Sequence, residues 1–85
     1  MIVHIPSQLY SYTQSKQVEA TGDTLDELLL DLDRQYPGLR FRIVDEQNRV
    51  RTHILLVLNR QSVRDLATPL AGMDSLRIIG ALSGG

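Results

Sequence analysis

The 85-residue sequence has no cysteine. Disulfides, thiolate zinc sites and cysteine nucleophiles are therefore excluded. It has no basic excess either: nine Lys and Arg stand against ten Asp and Glu, for a net charge of −1. A dedicated nucleic-acid or membrane binder would carry the opposite imbalance. No apolar run approaches a membrane span. Met1-Ile-Val-His-Ile-Pro6 lacks the basic start and long apolar core of a signal peptide. The expectation is a cytoplasmic protein with neither nucleic acid nor membrane as partner. Internal repeats and low-complexity segments are absent.

Catalytic groupings are also missing. His4 and His53 are the only histidines, without the spacing of a metal pair, and fit surface or strand-edge positions. Asp31 and Asp33 point to different faces of a helix. Asp23, Asp26 and Glu27 are explained by helix capping. No glycine-rich loop precedes the helix, where Gly22 reads as a strand stop, and the serines lack a neighbouring base. Tyr10 and Tyr12 suit the anchors of a turn better than a stacking site. Arg40, Arg42, Arg49 and Arg51 read as a solvated face, with an acidic partner surface as the alternative. Neither a metal, a bound cofactor nor a catalytic side chain is expected.

What is present suffices for one domain over residues 1–85, with an ordinary apolar fraction of 42% and a single modest core. Ile2 to Ile5 reads as a strand stopped by Pro6, which cannot donate to a ladder, with Val3 and Ile5 inward and His4 outward. Ser7 to Ser15 reads as a broad turn. Lys16 to Ala20 reads as a second strand, able to form an antiparallel hairpin with the first. Thr24-Leu-Asp-Glu27 matches a capping box. Leu25, Leu28, Leu29, Leu32 and Tyr36 then form one helical stripe, ended by Pro37-Gly38.

Leu39 to Val44 fits an extended crossing or a short helical turn. Asp45 to Asn48 is a loop, and His53 to Asn59 is assigned as a central strand. A tight turn follows, then a brief return strand at Ser62-Val63, a loop from Asp65 to Met73, and a last strand through Leu76 to Ile79. One main helix on a mixed sheet of four to five strands is a two-layer α+β unit, with the first and last strands side by side in the middle.

Two strands are too apolar for a sheet with one wet face. Leu76 and Ile78 alternate with Arg77 and Ile79; Leu56 and Leu58 alternate with Leu55 and Val57. One set belongs under the helix. The other, Leu55, Val57 and Ile79, falls on the open face and forms a candidate docking surface with Arg77 nearby. The alternative is that the Leu39–Val50 segment folds over that face.

The chain ends Ala81-Leu-Ser-Gly-Gly85. Gly84 and Gly85 lack Cβ atoms and can thread where bulkier backbone cannot, and they carry a sterically open carboxylate. A frayed terminus of linker composition is the alternative for two glycines alone.

Several segments together change that balance. Gly22-Asp-Thr-Leu-Asp-Glu-Leu-Leu29 opens the helix and Tyr36-Pro-Gly-Leu39 closes it. Arg51-Thr-His-Ile54 enters the long apolar strand, followed by Val57-Leu-Asn59, Pro69-Leu70 and the terminal diglycine. In order and spacing, over nearly the whole chain, they resemble the ubiquitin-like sulfur carriers: the small subunit of molybdopterin synthase, the thiamine sulfur carrier and their relatives in cysteine biosynthesis. Two positions depart from those relatives: Gly72-Met73-Asp74 where they usually have Gly-Asp-Glu, and Gly80 where they often have proline.

The resemblance implies a β-grasp fold with a flexible tail of about residues 81–85. It implies that a ubiquitin-activating-like adenylyltransferase uses ATP to adenylate the Gly85 carboxylate. Sulfur from a donor then displaces AMP, and a sulfur-accepting synthase subunit takes sulfur from the thiocarboxylate. Gly84, Ser83, Leu82 and Ala81 would thread the tail into the partner; Ile79, Arg77, Val57 and Leu55 would dock the body. Molybdopterin synthesis is the first expectation for the pathway, with cysteine or thiamine synthesis as alternatives. A protein modifier joined through Gly85 and a non-covalent β-grasp binding module are the competing functions.

Overall fold

A computed structural model describes residues 1–80. The first strand, β1 (Ile2–His4), pairs antiparallel with β2 (Gln17–Glu19). The main helix follows, and then β3 (Ile54–Leu58) and β4 (Gln61–Val63), an antiparallel pair joined at Asn59-Arg60. Asn59 has φ +54, the left-handed conformation that asparagine tolerates better than most residues. The last strand, β5 (Ser75–Gly80), runs parallel to β1 and antiparallel to β3. The resulting mixed sheet has the order β2-β1-β5-β3-β4.

The first and last strands lie side by side inside the sheet, as expected, with β5 at its centre and β3 also interior, between β5 and β4. The most apolar run occupies the next position out. On its outer face Leu55 is exposed and Val57 half-buried, while Ile54, Leu56 and Leu58 are buried.

Three helical segments connect the strands. Helix α1 (Tyr10–Thr13) continues a 3-10 turn at Ser7–Leu9 and ends at Gln14, with φ +57. The sequence reading had a broad turn there. Leu9 and Thr13 are both buried and lie four residues apart, so one helical turn presents both to the core.

Helix α2 (Leu25–Gln35) carries the expected stripe, with Leu25, Leu28, Leu29 and Leu32 fully buried and Tyr36 half-buried just past its end. The Glu27 amide donates to Thr24 Oγ1 at 3.3 Å, while Glu27 Oε1 accepts from the Asp23 amide at 2.8 Å. The capping box is thus displaced by one residue at its carboxylate end. The loop after β4 completes the cap: the Leu25 and Asp26 amides donate to the carbonyls of Thr68 and Leu66, both at 2.9 Å. These bonds satisfy two of the amides that a helix start leaves without intrahelical partners.

Gly22 has a packing role beyond ending a strand. A Cβ there would lie 2.5 Å from the Leu28 amide nitrogen and 2.8 Å from the Glu27 carbonyl carbon. Only glycine lets the incoming chain pass this close to the first turn of α2.

The Leu39–Val44 segment resolves as the helical alternative, α3 (Leu39–Ile43). Asp33 Oδ1 accepts from both the Gly38 and Arg40 amides at 3.1 Å, and Leu39, Ile43 and Val44 are fully buried. The core lies between α2, α3 and one sheet face, where Val3, Ile5, Leu56, Leu58, Leu76 and Ile78 meet the helical leucines.

Candidate functional site

β-Strand side chains alternate between faces, and the paired registers decide which outward residues become neighbours. Leu55 stands opposite Ile79, and Val57 opposite Arg77, across β3 and β5. On the other side of β5, Arg77 is in register with His4 of β1. Leu55 is 41% exposed and Ile79 37%; Val57 is half-buried and Arg77 exposed. The intervening Leu56, Ile78 and Leu76 are buried within the core.

Leu55, Val57, Ile79 and Arg77, chosen from the sequence as docking candidates, are therefore brought together on one surface. The Leu39–Val50 segment does not cover it: Leu39, Ile43, Val44 and Val50 are buried in the core, Phe41 is exposed, and Leu55 and Ile79 remain exposed. Sequence reasoning passed over Ile2, which is 36% exposed. Its place on this face followed from the same two-residue alternation that put His4 there. Ile2 lies beside Ser75, one row beyond the His4–Arg77 pair, and flanks the apolar patch.

Strand β5 carries this patch to Gly80, which lies opposite Ile54. The described residues thus end on the strand that bears Arg77 and Ile79. Ala81, Leu82, Ser83, Gly84 and Gly85, the proposed tail and its carboxylate, lie outside the described residues, as does the tail boundary expected at residue 81.

The arginines are mostly engaged within the fold. Arg40 Nη2 donates to Asp26 Oδ1 at 2.6 Å. Arg51 Nε donates to the Phe41 carbonyl at 2.8 Å, with its guanidinium 4.5 Å from the Phe41 ring centroid, a cation–π arrangement. Arg49 bonds the Gln47 side chain. Arg64, which sequence reading did not single out, ties the Val50, Arg51 and Ile54 carbonyls together. Arg42 is exposed.

Among the described residues, two carboxyl groups are held below their ordinary value, chiefly by local backbone contacts. The Thr21 amide, followed by Arg34, holds Asp31 below the usual aspartate value. The Arg49 amide is the main cause of the lowering at Asp45. Asp31 and Asp33 each bind their own neighbourhood, not a shared substrate.

A groove of about 1050 Å³ lies between the start of α2 and the loops at residues 45–52 and 64–67. It shares no residue with the open sheet face. Its Asp45 and Asp65 carboxylates accept from backbone amides, and its Arg64 binds the carbonyls just named. Among the described residues, no group of His, Cys, Asp and Glu is arranged to hold a metal ion. No described helix is long and apolar enough to cross a membrane.

The sulfur carrier protein CysO of Mycobacterium tuberculosis is 36% identical over 89 residues, spanning 98% of this chain and 96% of its own length. The Mycobacterium bovis CysO matches to the same degree. The crystal structure of M. tuberculosis CysO superposes with a TM-score of 0.87 at 33% identity, covering 95% of this chain and 98% of its own. A structure of the Amycolatopsis orientalis BexX/CysO complex gives 0.88 at 31% identity, covering 99% and 98% of the two chains. The Haloferax volcanii small archaeal modifier protein SAMP1 gives 0.77 at 25% identity, covering 100% and 98%. The β-grasp expectation is thus met in fold. Residues 3–85 match the ThiS family, and with that match extending over nearly its whole length the chain belongs to the ThiS family of ubiquitin-like carriers.

Proposed function

We propose that this protein is a sulfur carrier of the cysteine-biosynthesis type, acting as a protein co-substrate and contributing no catalytic side chain. The observation that carries this reading is its near full-length similarity to the sulfur carrier protein CysO. The relatives found favour the cysteine type over the molybdopterin type that sequence reading put first. The cytoplasm is the proposed compartment.

In the proposed reaction, a Gly85 carboxylate oxygen attacks the α-phosphorus of ATP in a partner adenylyltransferase. Pyrophosphate leaves and an acyl-adenylate forms. A sulfur nucleophile from a donor then attacks the Gly85 carbonyl carbon, and AMP departs with the oxygen it had bonded. The product is a thiocarboxylate, whose sulfur a second enzyme transfers to its acceptor. The carrier's contribution is delivery. The apolar face at Leu55, Val57 and Ile79 docks the body and holds the reacting carboxylate at high effective concentration in the partner's site. The A. orientalis CysO that was solved with BexX supports a partner-dependent role.

Intact mass spectrometry tests the proposal. The protein is incubated with ATP, the host adenylyltransferase and sulfide. Replacement of one oxygen by one sulfur, mapped to Gly85, is the expected result. Absence of that shift with an adenylyltransferase active on another carrier would overturn it. The likeness to SAMP1 favours a second reading, conjugation of Gly85 to a lysine of another protein. That reading predicts a ladder of larger covalent species on denaturing gels of the host extract.

A further inference from the structure

The β1 side of β5 loses its strand partner before β5 ends. The parallel register stops at His4↔Arg77, and Pro6 leads the chain away into the Ser7–Leu9 turn. Continued by three residues, that register would have set residue 7 beside Gly80. Gly80 cannot turn to β3 instead. Asn59 N–H donates to the Ser75 carbonyl at 2.9 Å, one step past the Leu58↔Leu76 pair. Bonded and non-bonded pairs alternate along an antiparallel ladder, so Ile54↔Gly80 is a non-bonded pair. Its Gly80 carbonyl faces the side that β1 has vacated.

One side chain fills that vacancy. Gln8 Nε2 donates to the Gly80 carbonyl at 3.1 Å, across 72 residues of sequence. The amide of Gln8 lies against the strand so closely that a Cβ on Gly80 would meet its Nε2 at 3.0 Å, its Cδ at 3.1 Å and its Oε1 at 3.3 Å. The contact therefore depends on two residues: a donor of this length at position 8 and the absence of a side chain at position 80.

We propose that Gln8 is a positioning residue for the carboxyl-terminal tail. By pinning the Gly80 carbonyl it fixes the peptide plane joining residues 80 and 81, and so sets the direction in which the chain leaves the sheet. The role in delivery rests on the sulfur-carrier reading; the bond itself does not. A tail aimed in advance loses less conformational freedom when a partner's active site captures it. Removing the pin raises KM for the carrier in adenylation and leaves kcat near its original value.

The test compares Gln8→Ala, Gln8→Glu, Gly80→Ala and the Gln8→Ala/Gly80→Ala double variant. Gln8→Glu keeps the side chain's length and shape but has no N–H to donate when ionised. Gly80→Ala pushes the Gln8 amide aside, which is cheap because that amide is the end of a flexible side chain. With ATP and the host adenylyltransferase, pyrophosphate exchange should show KM raised about two- to tenfold in each single variant, the range expected from losing one neutral hydrogen bond. The double variant should be no worse than either single one, since both remove the same contact. Melting temperatures should fall by about 8 °C or less, the shift that the same hydrogen bond allows in a domain of this size. Unchanged KM in Gln8→Glu, or additive effects in the double variant, would overturn the delivery role.

NMR separates this outcome from failure of the carrier reading. The Gly80 carbonyl shift and Gln8 side-chain NH₂ shift report the bond without any enzyme. If the wild-type protein is not adenylated, the carrier reading fails and the delivery role with it. In that case a Gly80 carbonyl shift that moves in Gln8→Glu still establishes the pin, and one that does not move removes it.

Discussion

Leu55 stands directly opposite Ile79 across β3 and β5, and both are exposed although Leu56 and Ile78, the next pair along the ladder, are buried. The same residue types therefore play opposite parts one position apart. Leu55→Asp or Ile79→Asp should change stability by about 1 kcal/mol or less, because neither site forms part of the closed core. Leu56→Ala or Ile78→Ala should cost about 2–5 kcal/mol by opening a cavity. In the adenylation assay the order reverses. The aspartate variants should raise KM at least about tenfold by placing an unpaired charge in a docking surface. Urea denaturation alongside pyrophosphate exchange checks both halves.

Gly22→Ala should destabilise the protein by about 1–3 kcal/mol. The new Cβ would meet backbone atoms of Glu27 and Leu28, which cannot rotate away as a side-chain end can. Gly72→Ala is an instructive contrast. Nothing lies within 4 Å of a Cβ there, but φ is +80, so its cost is conformational, about 1 kcal/mol. A shift in urea midpoint, larger at Gly22, is the expected measurement.

Arg40 joins α3 to the first turn of α2 through its 2.6 Å bond to Asp26, with its side chain 19% exposed. Arg40→Ala should lower stability by about 1–3 kcal/mol, losing a charge-assisted bond and the packing of the stem. Arg40 Nε is buried without a partner, so the guanidinium's burial is incompletely compensated. Arg40→Met, which keeps the stem and removes the charge, should cost less than Arg40→Ala. Denaturation of the two variants side by side gives the comparison.

Acid should weaken the fold partly through Asp31. Its carboxyl is held below the ordinary aspartate value of 3.8, first by the Thr21 amide and next by Arg34. A depressed folded-state pKa contributes stability that is fully present above the unfolded value and lost as pH falls through the folded one. The wild-type protein should therefore lose stability as the pH drops below about 4, and Asp31→Asn should flatten that slope. Denaturant midpoints measured from pH 7 down to pH 2.5 test the sign; a steeper slope in Asp31→Asn would contradict it.

The legible parts of this protein were those governed by short periods. The helical stripe from Leu25 to Leu32 and the cap at Thr24 are local signals, since each depends on residues three or four apart. The two-residue alternation in β3 and β5 was equally plain and located the open-face residues Leu55, Val57, Arg77 and Ile79 in advance. The helical turn at residues 7–13 was not legible, because its anchors Leu9 and Thr13 look ordinary until a core lies beneath them. The arginines looked like a charged face for the same reason: Arg40 and Arg51 find their partners 14 and 10 residues away.

Sequence alone determined the main helix with its cap, the strands and the alternation of their two faces, because backbone stereochemistry and side-chain periodicity act over a few residues. Only the tertiary structure decided that residues 7–13 turn helically over the core, that Gly22 is required by the helix it touches, and that Gln8 meets the Gly80 carbonyl. Each of these depends on which distant segments become neighbours. That choice is made by burying the apolar faces of all the elements together, and no local window of sequence contains it.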